Sequence, residues 1–171
     1  IYATGGTIAR MKRMKSLGAV DPGLYHVIRA DQPFTIGDVE VEPFSISHDA
    51  AEPVAYRFSC GEKHAAVATD MGVYTDYIVE HLQGLDVLLL EANHDIRMLQ
   101  AGPYPYPLKQ RIMGECGHLS NESAGQLLCR ILNDHMKRIY LGHLSKENNY
   151  AELAYETVKL EIELGPVTYK P

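Results

Sequence analysis

The chain has 171 residues, 46% hydrophobic and 22% charged, which suits one soluble globular domain with a real core. Its net charge of −6 argues against a whole-surface nucleic-acid binder, and no apolar run approaches the length of a membrane span. The three cysteines (Cys60, Cys116 and Cys129) show no CxxC spacing, which disfavours a disulfide framework or a Cys-rich zinc site and points to a reducing cytoplasm.

In chain order, IYAT reads as a short strand and GGTIARMKRMK as a helix entered through glycine. The basic cluster Arg10, Lys12, Arg13 and Lys15 falls on that helix and reads as a solvated face rather than a phosphate-binding strip. YHVIRAD and VEVEPFSIS have strand composition, with DQPFTIGD between them as a turn. VAYRFSC and KHAAVATD form a hairpin across Gly61-Glu62, and VYTDYIVEHL has helical spacing. LDVLLLEA is a continuous apolar run of strand length, the pattern of a fully buried strand. HDIRMLQAGPYPYPLK is too rich in Pro and Tyr for a core element and long enough to be functional. SNESAGQLLCRILND starts on a Ser or Asn cap and runs as a helix, and RIYLGHLS is a strand ending in a polar loop. NNYAELAYETVKLEIE is the last helix, with LEIELGPVTYKP standing where a helix end and a final strand belong. The order gives one α/β domain without a linker or an internal repeat.

Three residues share a position that composition does not require. His48 follows the strand FSIS, Asp70 follows AAVAT, and His143 follows RIYLG. Ligands gather where strands of α/β folds stop, because the loops there aim side chains into a shared crevice. Two imidazoles and a carboxylate so placed suit a divalent metal, the carboxylate able to bridge two ions. Each residue alone reads more simply as a satisfied polar group at a loop entrance. His26, His64, His81 and His135 fall on strand or helix faces and carry no such reading.

The spacing and neighbours of these residues resemble the metallo-β-lactamase fold hydrolases. SHDAAEPVAYRF is similar to the family's third metal motif, ATDMG to the fourth and LGHLS to the fifth, while LLLEANHD is similar to its buried strand ending in Glu-Ala. The resemblance covers roughly residues 36 to 157. The finer pattern, EANHD, then PYPLKQRI, then GHLSNESA, most resembles the YycJ (WalJ) branch, related to ribonuclease Z and ribonuclease J and associated with nuclease activity.

That resemblance implies an αββα sandwich and two divalent ions, zinc or manganese, with His48 on the first, His143 on the second and Asp70 on both. It makes His118 a residue that faces the scissile phosphate or protonates the leaving oxygen, with Glu91 orienting His118 through its ring nitrogen. Asn93 and His94 become substrate-facing, and Asp49 a loop-closing hydrogen-bond acceptor. The implied partner is nucleic acid, DNA ahead of RNA, with no membrane role and homo-oligomerisation left open. The family's His-x-His-x-Asp-His signature does not occur in the chain. Residues 1–171 are therefore expected to be the C-terminal two-thirds of a single domain, incomplete at the N-terminus and inactive alone.

Three other readings compete. One is a small-molecule phosphodiesterase and another a non-catalytic binding or structural fragment. The third comes from IYATGGTIA, which fits the opening of the L-asparaginases with Thr7 as nucleophile. An asparaginase also needs a segment close to His-Gly-Thr-Asp-Thr, and none occurs. The glycines then read as the turn into a helix capped by a threonine, with Thr7 distant from His48, Asp70 and His143.

Overall fold

The computed structural model describes residues 1–166. A short parallel pair, β1 (Tyr2–Thr4) with β2 (His26–Ile28), stands beside a six-stranded sheet. That sheet runs in the order β3 (Phe34–Ile36), β4 (Val39–Ser45), β5 (Val54–Cys60), β6 (Lys63–Ala68), β7 (Val87–Glu91) and β8 (Arg138–Gly142). The first four strands are antiparallel, and β6, β7 and β8 are parallel. The carboxyl ends of β4, β6, β7 and β8 consequently lie at one end of the sheet. Six helices connect or cover these strands: α1 (Gly5–Met11), α2 (Asp76–His81), α3 (Ile96–Ala101), α4 (Tyr106–Met113), α5 (Asn121–Ile131) and α6 (Ala151–Leu164). No helix among the described residues is long and apolar enough to cross a membrane.

The core lies between one face of the sheet and α2, α5 and α6. Ala66, Leu88 and Leu90 pack with Val79 of α2, Leu82 just after it, Leu127 and Ile131 of α5, and Ala154 of α6. Removing each of the larger side chains from water contributes about 1.5–3 kcal/mol. Ser120 caps α5 by accepting a hydrogen bond from the Ser123 amide at 3.1 Å, as its sequence predicts.

Three expectations need correction. β7 is not buried on both faces: Leu88 and Leu90 are fully buried, while Val87 and Leu89 are only half-buried. Leu89 lies in a cross-strand row with Val67 and Tyr140, on the face opposite the core helices. Residues 34–36 form β3 rather than part of a turn, because Gly37-Asp38 alone suffices to reverse the chain into β4. The stretch from His94 to Lys109 is not irregular, since it contains all of α3 and the start of α4. Asp95 caps α3, accepting from the Met98 amide at 2.7 Å. Pro107 falls in the first turn of α4, where a missing N–H costs nothing. The expected final strand lies partly in residues 167–171, outside the described residues.

The loop 114–117 after α4 crosses directly over Met71-Gly72. A Cβ on Gly72 would come within 2.2 Å of the Glu115 carbonyl oxygen, a backbone atom that cannot swing away. Gly72→Ala is therefore expected to destabilise the chain by about 2 kcal/mol, the scale of overpacking. Urea unfolding of the variant and the parent measures this, and an unchanged midpoint would contradict the close crossing.

Candidate metal centre

Four strand ends and one loop supply the site. His48 stands three residues beyond β4, Asp70 two beyond β6, Glu91 ends β7 and His143 follows β8. His118 comes from the loop before α5. Asp70 and His143 both hold positive φ, 61° and 56°, which few non-glycine residues adopt.

Asp70 Oδ1 lies 3.7 Å from His48 Nε2 and 3.7 Å from His143 Nε2. The other Asp70 oxygen accepts from the Thr69 hydroxyl at 3.2 Å. The His118 ring sits between the other two imidazoles, its centroid 5.1 Å from that of His48 and 5.2 Å from that of His143. Each of the three rings donates through Nδ1 to a group that can only accept. His48 donates to the Gly117 carbonyl at 3.1 Å, His118 to Glu91 Oε1 at 2.8 Å, and His143 to the same Oε1 at 2.7 Å. Those contacts fix the tautomer of each neutral ring, with the proton on Nδ1 and the lone pair on Nε2. The Nε2 lone pairs of His48 and His143 beside one carboxylate oxygen fit a divalent cation such as zinc or manganese, whereas His118 turns Nδ1 towards Asp70, at 3.8 Å.

Asp70, Glu91, His118 and His143 offer ligand atoms all within 4.8 Å of one another. Glu91 nonetheless has no free lone pair facing outward. It is fully buried, and Oε2 accepts from the Met71 amide at 2.9 Å and the Leu119 amide at 3.2 Å, while Oε1 takes the two imidazoles. Its carboxylate stands behind the His118 and His143 rings and fixes their orientation. Sequence reading paired Glu91 with His118; that it also holds His143 was not legible, because the convergence depends on β7 and β8 being neighbours.

The His48 loop is held from the far side by the residues that raised the asparaginase reading. The Thr4 hydroxyl donates to the Glu52 carbonyl at 2.8 Å, the Thr7 hydroxyl to the Ala51 carbonyl at 2.9 Å, and the Gly6 amide to the Glu52 carboxylate. A Cβ on Gly6 would come within 2.8 Å of Glu52 Cβ, so the close approach requires glycine. Thr7 is at a helix start but is not distant from the site. With Thr4, His48 and Asp70 it lines a cavity of about 340 Å³. Its hydroxyl proton is given to a backbone carbonyl, which is a structural use.

A second cavity, of about 580 Å³, opens onto His48, Asp70, His118 and His143, and Asn93 is on its wall. The Asn93 amide donates to the His143 carbonyl at 2.8 Å. His94 does not line this cavity: it is buried, with its backbone bridged to Ser120 and Nδ1 without a hydrogen-bond partner. Asp49 accepts from Arg111 through both carboxylate oxygens, at 2.9 Å from Nη2 to Oδ1. Tyr104, Arg111 and Lys146 also line the cavity, and sequence reading did not single them out.

A beta-lactamase superfamily domain matches residues 1–144. The chain belongs to the beta-lactamase superfamily. It is 42% identical over 158 residues to exodeoxyribonuclease WalJ of Streptococcus pneumoniae serotype 2 (strain D39 / NCTC 7466), covering 92% of this chain and 59% of that protein. It is 36% identical over 163 residues to exodeoxyribonuclease YycJ of Bacillus anthracis, covering 95% and 61%. The chain thus spans about three-fifths of the length of these curated relatives. The crystal structure of the metallo-β-lactamase fold protein YhfI from Bacillus subtilis matches with a TM-score of 0.68 at 17% identity, over 98% of this chain and 60% of that one. The fold is that of the metallo-β-lactamase proteins.

The electrostatics of this superfamily site follow from Glu91. Burial pushes its carboxyl up, but the hydrogen bonds from His118, His143 and the Met71 amide outweigh burial and hold it below the usual range. The same bond to Glu91 raises His118 against the effect of its own burial. The Arg111 guanidinium lowers Asp49. Burial pushes His94 down to about 4, so it is a neutral imidazole near pH 7.

The His94 shift has a definite sign for stability. An exposed histidine titrates near about 6.5, so between that value and about 4 the unfolded chain binds the extra proton and the folded chain does not. The associated stability, on the order of 3 kcal/mol, is complete above about pH 6.5 and is lost as pH falls towards about 4. Urea midpoints of the parent and His94→Gln across that window provide the check. The parent should lose more stability than the variant; parallel declines would show that His94 is not held neutral.

Proposed function

We propose that this chain carries most of the active centre of a metal-dependent phosphodiesterase that acts on nucleic acid, DNA ahead of RNA. The observation that carries the reading is the pair of imidazoles, His48 and His143, whose Nε2 atoms face Asp70 Oδ1 from two sides at 3.7 Å, with Nδ1 of each held by an acceptor. The curated relatives are named exodeoxyribonucleases, which favours DNA as the polymer. His48, Asp70 and His143 are the ligands, with Asp70 placed to serve two positions at once. A pair of divalent ions bound there would supply an attacking hydroxide near neutral pH and positive charge beside the phosphoryl oxygens.

The remaining residues position and move protons. Glu91 retains its negative charge and keeps the His118 and His143 rings fixed through Nδ1. His118, with its affinity for a proton raised by Glu91, delivers that proton from Nε2 to the leaving oxygen. Asn93 steadies the backbone of His143, on the rim where substrate enters. His94, buried and neutral, acts from behind the site and not on substrate.

We further propose that residues 1–171 form part of a larger domain. The length relative to the relatives supports this, and so does the half-exposed row of Val67, Leu89 and Tyr140 on the sheet face opposite the core helices. Three ligands divided between two ions are fewer than a stable zinc site uses, so this chain alone would hold metal weakly and turn over no phosphodiester.

The roles separate experimentally in the full-length parent protein. His143→Ala should lower bound metal and hydrolysis together. His118→Ala should retain metal near the parent level while turnover falls by about a hundredfold, the scale of a positioned proton donor. Elemental analysis and hydrolysis assays on the same preparations give both readouts. Loss of metal in His118→Ala equal to that in His143→Ala would make His118 a ligand, as its place in the four-residue cluster allows.

A further inference from the structure

Helix α4 poses a packing question that the metal site does not answer. It has eight residues and buries none of them. Leu108, Arg111 and Ile112, spaced three and four apart, all line the 580 Å³ cavity with Tyr104 just before the helix. Apolar side chains on an amphipathic helix normally face a core. Here two of them and an aromatic ring face a cavity that also holds His118, His143 and Asp70. An ion or an inorganic phosphate gains nothing from such a wall. A ligand with a flat apolar face and an adjoining anion does.

The wall is preformed. Pro103 and Pro105 flank Tyr104, fixing the backbone on both sides of the ring. Lys109 ties α4 to α3 through the Gln100 carbonyl at 2.7 Å, and the His118 amide donates to the Ile112 carbonyl at 2.9 Å. The Ser47 hydroxyl holds the Glu115 carbonyl at 2.7 Å. Two cations stand on the same cavity. Arg111 spends Nε and Nη2 on Asp49, leaving Nη1 to donate, and Lys146 is exposed on the loop that follows His143. Glu147 on the same rim keeps the local charge low, so the ring contributes more than charge.

Resting on the phosphodiesterase reading above, we propose that Tyr104, backed by Leu108 and Ile112, is a stacking seat for the nucleobase next to the scissile phosphate, with Arg111 Nη1 and Lys146 contacting the adjoining phosphate. The seat takes a nucleobase whose two faces are free, so the substrate enters as a single-stranded or frayed end. Stacking reads the π-face that every base has, which makes the seat tolerant of sequence. Its contribution also persists in salt that weakens the phosphate contacts.

The test uses the full-length parent with three substrates: a single-stranded oligodeoxynucleotide, the same oligodeoxynucleotide with abasic terminal residues, and a small dialkyl phosphodiester that carries no ring. Tyr104→Ala should lower kcat/KM on the normal oligodeoxynucleotide by about ten- to a hundredfold, the range of one base–aromatic stack. It should leave the abasic strand and the small ester unchanged, and Tyr104→Phe should behave as the parent. Independently of any variant, the parent should cleave the abasic strand more slowly than the normal one by the same factor. Equal losses on all three substrates, or none on any, would overturn the seat while the phosphodiesterase reading stood. Anisotropy of labelled strands on metal-free protein separates the opposite case. If the parent cleaves nothing but binds the normal strand more tightly than the abasic one, and Tyr104→Ala removes that difference, the seat stands and the phosphodiesterase reading fails.

Discussion

A carboxylate taken out of water must have its lone pairs satisfied, and at Glu91 four donors do so. Two are backbone amides, from Met71 and Leu119, and two are the Nδ1 protons of His118 and His143. Met71 follows Asp70, Leu119 follows His118, and His143 ends the neighbouring strand. The segments that carry Asp70, His118 and His143 therefore meet at this one group. Losing any donor would leave a buried charge under-satisfied, at a cost of about 1–3 kcal/mol or more. The stability of the site's geometry and the tautomers of its histidines thus have a common origin.

His48 is the member that Glu91 does not reach, and a separate arrangement holds it. The Gly117 carbonyl fixes its ring from one side. On the other, the Thr4, Gly6 and Thr7 contacts hold residues 51 and 52, closing the loop that leads from His48 into β5. The close crossing at Gly72 joins the two arrangements, since the loop that leads to Gly117 and His118 passes over the residues after Asp70. A motif with the look of a nucleophile turn is here a clamp. The Thr7 hydroxyl, the nucleophile of the asparaginase reading, donates to the Ala51 carbonyl.

How much of this was legible in the sequence depends on what kind of physics sets each feature. Alternation and caps are local, so β4 to β8, α5 and α6 could be read directly, and the strand-end placement of His48, Asp70 and His143 followed. β3 was missed because three residues beside a tight turn carry almost no periodicity. α3 and α4 were missed because Pro and Gly mark both helix starts and irregular chain, and only the Asp95 cap and the position of Pro107 distinguish them. His94 was read as facing substrate because it follows Asn93 after a strand end; its direction is set by a bridge to Ser120, twenty-six residues away. Tyr104, Arg111 and Lys146 reach one cavity from different segments, and no spacing in the sequence records that.

The central claim is that two acceptors, the Gly117 carbonyl and Glu91 Oε1, fix the tautomers of three imidazoles, with Nε2 left free in the neutral rings. Long-range ¹⁵N–¹H correlation spectra of the metal-free protein at alkaline pH observe this directly. His48, His118 and His143 should each show a protonated Nδ1 and an unprotonated Nε2, and Glu91→Gln should disturb His118 and His143 while leaving His48 as it was. A protonated Nε2 with a bare Nδ1 on any of the three in the parent protein would contradict the account, because that ring would then hold the tautomer its acceptor forbids.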